Sequence, residues 1–406
     1  MKLKKSSLDN IVLIAGLIFF LWFLTLPKPG PEWVYSDTLK YGATTLKGRI
    51  PFSDFAQTIV GFRALYNKTD PYTMLGPAFK GLGIEWDVRH GSTHPPTAFL
   101  FAAPIAFLPW PVASAIWAWL MLSLIVFSYR FYGLSWKMSF GLMPPTMLWP
   151  PASASLGQLT IIWMLGLAMA YYFRKREQFW SGVGVGLAAA TKYLPGLLMI
   201  VFLLKRRWVA LAGFISFGIL SVSLVLVMNV TAIPRYLEEN KVTSWATMQR
   251  PDNLSPLLNA YRYAGWFGVA LLVFFFSLIA FVNRRYLYDW KTFPSTRVWM
   301  LLTYFSVACL PILWIYSLMP LLPALIFLIF QRRIATTILC LSCILIPSIF
   351  LHGDERSVII ISSVNLLAGL AFAIDVLPVK IFQKQWRASL TAFAETSPDS
   401  GAHDAV

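Results

Sequence analysis

Charged residues are scarce in this chain, and cysteine is scarcer still. Only 13% of its 406 residues are charged, which is about half the share in an ordinary soluble domain. This shortage, beside a hydrophobic share of 57%, excludes a disordered protein, a coiled coil and an ordinary cytosolic enzyme. The three cysteines (Cys309, Cys340 and Cys343) all lie inside apolar runs. We interpret them as buried small hydrophobes, which indicate no disulfide framework.

Acidic residues are also few, with 18 Asp and Glu against 34 Lys and Arg, for a net charge of +16. The basic residues form short groups between apolar runs rather than one folded basic face, which argues against nucleic-acid binding. Such groups are typical of the cytoplasmic ends of membrane helices. The sequence has no phosphate-binding glycine loop followed by Lys and Ser or Thr, so we expect no nucleotide and no cofactor.

Long apolar runs are what the sequence has in abundance, and many reach the roughly 20 residues that span a bilayer. The run Ile11–Leu26 follows a basic start and is predicted to be an uncleaved first helix. The run from Pro95 to Leu108 is too short to span, so we expect an interfacial helix there. This assignment places every later basic group in the cytoplasm. The sequence therefore predicts an all-α polytopic membrane protein with about twelve spans and cytoplasmic termini.

The polar stretches suggest one integral membrane domain over residues 1–387, with long external loops at 27–111 and 231–263. Interfacial helices are expected in the first of these loops, and residues 388–406 are expected to be a disordered cytoplasmic tail. Backbone breaks are predicted at Pro144–Pro145 and around Thr191–Lys192. Broken helices are tolerated in a membrane where protein or a wet cavity covers them, so we expect an outward-facing cavity.

Half of the 18 acidic residues fall in the two predicted long external loops, and Asp354 and Glu355 fall in a short one. We therefore expect the chemistry at the outer membrane surface. Asp54 stands between Phe52 and Phe55, and desolvation there would raise its pKa and make it a better base. The alternative is that Ser53 or Asp54 is the N-cap of a helix over residues 55–65.

Basic and turn residues leave further alternatives open. Arg63 lies on a predicted amphipathic helix, where it either binds a lipid phosphate or rests among head groups. Lys192 stands at a helix break, where it either binds a phosphate or extends to the surface. Asp70 is predicted to cap the turn before Tyr72. One group of loop residues lacks a fixed ligand spacing and is interpreted as solvated charge rather than a metal site: Glu85, Asp87, His90 and His94.

Several short motifs together resemble glycosyltransferase family 87. They are Ser53-Asp54-Phe55, Thr69-Asp70-Pro71-Tyr72, His94-Pro95-Pro96-Thr97, Gly157-Gln158-Leu159-Thr160, Lys192-Tyr193-Leu194-Pro195, Asp252-Asn253-Leu254-Ser255 and Pro311 followed by Trp314. The resemblance runs from about Phe52 to Pro323. This family belongs to the C-type membrane glycosyltransferases and includes polyprenyl-phosphate-mannose-dependent mannosyltransferases.

The resemblance implies a C-type glycosyltransferase fold and a transferase that acts at the external face of a membrane, which we expect to be the bacterial plasma membrane. The donor would be mannose, or another hexose or pentose, on a polyprenyl phosphate. The acceptor would be a lipid or a glycan, and membrane lipids would surround the chain. By this resemblance Asp54 is the general base that deprotonates the acceptor, and the transfer inverts the anomeric carbon.

Site residues follow from the same motifs and from the chemistry that each part of the substrate needs. Cations suit the leaving phosphate, for which the candidates are Arg63, Lys192, Arg250 and Arg262. Hydrogen-bonding candidates for the sugar are Gln158, Asn253 and Ser255, and stacking candidates are Trp86, Trp245 and Trp314. Tyr72 and His94 are further candidates for substrate binding. The family tends to carry a His soon after the Trp that follows Pro311. Here the sequence reads Trp314-Ile315-Tyr316-Ser317, and Tyr316 is the candidate replacement.

Two other functions fit the composition. A lipid or polysaccharide transporter or flippase without covalent chemistry would tolerate Asp54→Asn and would line a through-path with buried charge. A ligase that moves a whole glycan would use an external Arg and His rather than an acid in the first loop. The position of Asp54 relative to Lys192 and Gln158 separates these functions from the sugar transferase.

Overall fold

A computed structural model describes residues 5–25, 53–73, 75–83, 91–148, 158–175, 177–239 and 255–282, together with residues 299, 303 and 322. This part of the chain is helical and contains no β-strand, so the predicted all-α class is confirmed for it. The helices in chain order are α1 (Lys5–Thr25), α2 (Ser53–Tyr66), α3 (Leu75–Lys80), α4 (Pro96–Phe99), α5 (Trp110–Phe131), α6 (Trp136–Leu148), α7 (Thr160–Phe173), α8 (Gln178–Thr191), α9 (Met199–Leu204), α10 (Trp208–Met228), α11 (residues 232–239) and α12 (Pro256–Val282).

Two helices of the described part, α5 and α10, are long and apolar enough to cross a membrane. The α10 helix exposes large apolar side chains along its length, and Ile219 and Val227 are 62% and 80% exposed. Exposed apolar surface of this extent is typical of a membrane interaction site. The chain is therefore a membrane protein, and the twelve spans and their orientation stay predictions.

Glycine lets α7, α8 and α10 pack with their backbones in contact. A Cβ atom added to Gly166 of α7 would lie 2.5 Å from the carbonyl oxygen of Gly184 in α8, and the reverse distance is also 2.5 Å. A Cβ at Gly182 would overlap the carbonyl of Ala210 in α10. These contacts fix the position of α8, whose C-terminal end leads into Lys192.

The first-loop helix α2 packs one apolar face on the core that α4 and α5 form. Phe55, Ile59 and Phe62 recur at the spacing of one helix face and are all buried. Gly61 leaves room for the ring of Phe99, which a Cβ at that position would overlap. The α2 helix is thus held on the protein core, and its N-terminal end presents Asp54.

The apolar run from Pro95 to Leu108 is not one continuous helix, which corrects the prediction. It consists of α4, a 3-10 helix over Leu100–Ala102 and further turns with i to i−3 hydrogen bonds, such as Ile105 N–H to Ala102 O at 3.0 Å. Pro104 has no N–H to donate and cannot continue a helix at its position.

The expected break at Pro144–Pro145 is wrong, because α6 continues through both prolines to Leu148. A cost of roughly 3 kcal/mol is usual for proline in a helix interior, so packing must offset it. The α6 helix packs tightly on α1, where a Cβ at Gly141 would lie 2.5 Å from the carbonyl oxygen of Val12. The break around Thr191–Lys192 is confirmed, since α8 ends there and the backbone at Lys192 is extended.

The second external loop is more helical than expected. Residues 232–239 form α11, and α12 begins at Pro256, inside the stretch predicted as loop up to residue 263. A kink at Gly265, with φ of 58°, separates this first part of α12 from the apolar part. The predicted tail, residues 388–406, and the later predicted spans lie almost wholly outside the described residues.

Candidate active site

Asp54 is the second residue of α2, so it lies within the first helical turn rather than at the capping position. Its Oδ1 accepts a hydrogen bond of 3.3 Å from Gln57 Nε2 one turn later. The backbone carbonyl of Asp54 accepts a second bond, of 3.0 Å, from Thr58 Oγ1. The carboxyl is half-buried and oriented by its own helix.

An aromatic stack fixes this end of α2. The ring of Phe55 lies 4.1 Å from that of Trp117 with only 3° between the planes, and 6.3 Å from that of Trp110. Both tryptophans belong to α5, which is long and apolar enough to cross a membrane. The stack anchors the residue next to Asp54, so the position of the carboxyl depends on α5 as well as on α2.

Lys192 lies where α8 ends. Its backbone N–H still bonds to the carbonyl of Ala188, while its own φ and ψ of −150° and 127° leave the helix. The hydroxyl of Thr191 donates to the same carbonyl at 2.8 Å, which satisfies part of the helix end. The half-buried Lys192 interacts electrostatically with Asp54.

His94 approaches the same place from the turn before α4. The hydroxyl of Thr97 donates to the carbonyl oxygen of Ala190 at 2.9 Å, which ties the His94 segment to the C-terminal end of α8. The imidazole is 8% exposed, and its Nε2 has no hydrogen-bond partner in the described part of the chain. Burial and the charge of Lys192 lower the pKa of His94 to about 3, so it is neutral at pH 7.

The electrostatics of Asp54 suit proton transfer near neutral pH. Burial raises the pKa of the carboxyl to about 7, and the positive charge of Lys192 opposes this rise. A general base works best when its pKa lies near the operating pH. The carboxylate also lies beside a cation that would stabilise a nearby negative charge.

Tyr72 lies at the edge of this group. Its hydroxyl donates to the carbonyl oxygen of His94 at 3.1 Å. Burial raises the pKa of the Tyr72 phenol, so the donor hydrogen is retained. Asp70 Oδ1 accepts the Tyr72 N–H at 2.9 Å, which confirms Asp70 as the cap of this turn.

Arg63 lies apart from Asp54, nine residues further along α2, or about 13 Å at the rise of an α-helix. Its guanidinium donates to the carbonyl oxygens of Ala106 and Leu108 at 2.7 and 3.4 Å. Arg63 therefore holds the turns that precede α5. Its proposed phosphate contact stays a prediction.

Three further predicted residues, Gln158, Ser255 and Arg262, lie in the described part of the chain. Gln158 precedes α7, is 2% exposed, and has an Nε2 without a hydrogen-bond partner among described residues. Ser255 is buried and its Oγ accepts the N–H of Leu258 at 3.3 Å, as a helix cap does. Arg262 is half-buried in α12. The candidates outside the described residues are Trp86, Trp245, Arg250, Asn253, Trp314 and Tyr316, and three members of the loop group, Glu85, Asp87 and His90.

Two residues beside the site were not predicted from the sequence: Gln57, which donates to Asp54, and Tyr236, whose ring lies 5.5 Å from that of Tyr72. The contact of Gln57 with Asp54 could have been inferred from the sequence, because Gln57 lies three residues after Asp54 and therefore on the same side of the predicted helix. Tyr236 lies in a stretch expected to be polar loop. Its spacing of four residues from Ala232 is the helical signal that could have indicated a buried face.

A sequence model of glycosyltransferase family 87 matches residues 93–311, which is more than half of the 406 residues. The matched region includes His94, Gln158 and Lys192 and begins after Asp54. No curated protein and no solved structure matches the chain. On the strength of the family match, the chain belongs to glycosyltransferase family 87.

Proposed function

We propose that this glycosyltransferase moves a single sugar, mannose or another hexose or pentose, from a polyprenyl phosphate to a hydroxyl of a lipid or glycan. The transfer takes place at the external membrane face. The observation that carries the proposal is the pairing of Asp54 with Lys192: a half-buried carboxyl with a pKa of about 7 that interacts with a cation at a helix break.

The proposed step is a direct displacement. The acceptor oxygen forms a bond to the anomeric carbon while Asp54 removes its proton, and the bond from that carbon to the phosphate oxygen breaks. The electron pair leaves with the polyprenyl phosphate. Lys192 stabilises the negative charge on this leaving group. Attack opposite the leaving group inverts the anomeric configuration.

The neutral His94 supports a role in sugar binding. An imidazole with an unpartnered buried Nε2 can donate to or accept from a hydroxyl. Gln158 offers an amide of the same kind. We propose that these two side chains bind sugar hydroxyls and that Arg262, with Arg250, binds the donor phosphate.

The test is sugar transfer in membranes that contain the wild type, Asp54→Asn or Glu177→Gln. Radiolabelled polyprenyl-phosphate sugars are supplied singly. Glu177 is a matched control because it is an exposed acid at the start of α8, the opposite end of that helix from Lys192. We expect Asp54→Asn to lose about 100-fold or more, the usual contribution of a general base, and Glu177→Gln to retain transfer.

Two outcomes would contradict the proposal. Equal transfer by the wild type and Asp54→Asn would remove Asp54 as the base, and an absence of transfer by the wild type with every donor would favour the transporter alternative. Retention of the anomeric configuration in the product, read from the one-bond carbon–proton coupling at its anomeric carbon by NMR, would exclude a single displacement.

A further inference from the structure

The α11 helix of the second loop packs on the core of the first. Ala232 is fully buried and Tyr236, one turn later, is 5% exposed, whereas Arg235, Leu237 and Glu238 are exposed. Both buried residues belong to the apolar cluster that also contains residues of α2, α4 and α5. The helix therefore has one inward face, and Tyr236 is its large side chain.

Polar contacts hold α11 to the turn before Tyr72. Arg235 makes two contacts with Asp70 Oδ2, from Nε at 2.8 Å and from the terminal nitrogen at 2.7 Å. Asn229, just before the helix, donates to the carbonyl oxygen of Thr69 at 2.8 Å. These contacts fix α11 in place on the same turn that carries Tyr72.

Tyr236 lies between two other tyrosines. Its ring is 5.5 Å from that of Tyr72 and 5.8 Å from that of Tyr193, and the phenols of Tyr193 and Tyr236 share a side-chain hydrogen bond. Tyr193 directly follows Lys192. Tyr72 donates to the carbonyl of His94. The ring of Tyr236 therefore contacts both Tyr193, which follows Lys192, and Tyr72, which is bonded to the backbone of His94.

We propose that Tyr236 is a positioning residue that holds Lys192 at its distance from Asp54 through the contact with Tyr193. This inference rests on the proposed function, because it assigns Tyr236 a role in the same transfer. The backbone at Lys192 is extended and has left α8, so a side-chain contact beside it has a direct effect on where the ammonium lies. Misplacement by about 1 Å is enough to cost an enzyme much of its rate.

The charge of Lys192 and the neutral His94 are the titratable groups around Asp54 that this arrangement involves, with the phenols of Tyr72, Tyr193 and Tyr236 beyond them. When Lys192 moves away, its stabilisation of the carboxylate weakens, because the interaction of two charges falls with their separation. The carboxyl of Asp54 then keeps its proton to a higher pH. A change at Tyr236 should therefore alter the pH dependence of transfer as well as its rate.

The experiment compares Tyr236→Phe and Arg235→Gln with Tyr66→Phe by measuring kcat/KM against pH in purified protein. Tyr236→Phe keeps the buried ring and loses the hydrogen bond to Tyr193. Arg235→Gln removes the ion pair from an exposed position. Tyr66 is a matched control because its ring is 60% exposed and packs on Phe107, away from Tyr236.

We expect Tyr236→Phe to lower kcat/KM about fivefold at pH 7, the effect of losing one hydrogen bond, and to move the acidic limb of the profile to higher pH. Arg235→Gln should move the limb in the same direction, and Tyr66→Phe should match the wild type. Size-exclusion elution and thermal unfolding verify that each variant is folded. An unshifted limb in folded Tyr236→Phe, with or without a loss of rate, would overturn the inference.

Asp54→Asn, assayed in parallel, separates this inference from the proposed function. If Asp54→Asn is inactive and Tyr236→Phe has an unshifted limb, the positioning role fails while the base remains. If Asp54→Asn transfers sugar as the wild type does, the proposed base fails, and the positioning role fails with it.

Discussion

Burial and the charge of Lys192 act on Asp54 in opposite directions. Burial disfavours the carboxylate and the ammonium favours it, with the net result that the pKa of Asp54 is raised to about 7. Below that pH the side chain carries a proton and cannot accept another. If Asp54 is the base, kcat/KM should rise with pH through about 7 and then level off.

Removing the charge of Lys192 should shift the pH profile of kcat/KM to higher pH. In Lys192→Met the stabilising charge is lost, so the pKa of Asp54 rises and the acidic limb moves up by about one pH unit or more. Lys192→Arg keeps the charge and should keep the limb near its original position. The measurement is kcat/KM for transfer over a pH series. A limb that stays in place in Lys192→Met would contradict the electrostatic contact between the two residues.

Single residues differ in how far their surroundings could be predicted. The Phe residue after Asp54 signals an apolar setting, and that setting follows from local sequence. The role of Arg63 could not be predicted, because the carbonyls that it bonds, at Ala106 and Leu108, belong to irregular turns. Spacing along one helix contains no information about acceptors from another segment.

At the level of helices, the glycine contacts among α7, α8 and α10 position the C-terminal end of α8. The carbonyl groups of one helix lie where side chains of the next would otherwise be. Small residues allow such close approach between membrane helices. The position of Lys192 therefore depends on residues near the middle of α8 as well as on the break itself.

Gly184→Ala should destabilise the protein by about 1–3 kcal/mol, the usual cost of overpacking, because its Cβ would lie 2.5 Å from the Gly166 carbonyl oxygen. Gly218→Ala in α10 is the matched control, since a Cβ there has nothing within 4 Å. It should be neutral or slightly stabilising. Thermal unfolding in detergent measures both. Equal unfolding temperatures for the two variants would show that α7 and α8 are not in backbone contact.

Helices were predictable where apolar runs are long, and breaks were predictable where charge interrupts them. The start of α5 and the end of α10 lie close to the predicted loop bounds at residues 111 and 231, and α8 ends at the predicted break. Proline was a weaker guide. Pro104 does interrupt a helix, whereas Pro144 and Pro145 do not, because packing of α6 on α1 stabilises the helix around them. Such tertiary contacts cannot be predicted from the local sequence pattern.

In the whole molecule, the two predicted external loops meet at the ion pair between Asp70 and Arg235. The sequence predicts that both loops lie on one side of the membrane, and this contact supports that prediction. The sequence could not predict the contact itself, because its polar composition indicated a loop over residues 231–263 and not the helix α11. Pairing of distant segments depends on the folded core.

Orientation is tested by labelling single cysteines in a variant in which Cys309, Cys340 and Cys343 are replaced. Lys80 lies in the first external loop by prediction and Lys175 in a cytoplasmic group, and both side chains are exposed. We expect a membrane-impermeant maleimide to label Lys80→Cys in intact cells, and Lys175→Cys only after permeabilisation. The reverse pattern would place the proposed site on the cytoplasmic face.

Backbone contact at glycine also has a mechanical consequence. Helices that touch carbonyl to backbone cannot slide past each other without separating, so α7, α8 and α10 form a stiff slab. The extended backbone at Lys192 begins where α8 ends, so the proposed phosphate-binding cation is held at the edge of the stiffest part of the described chain.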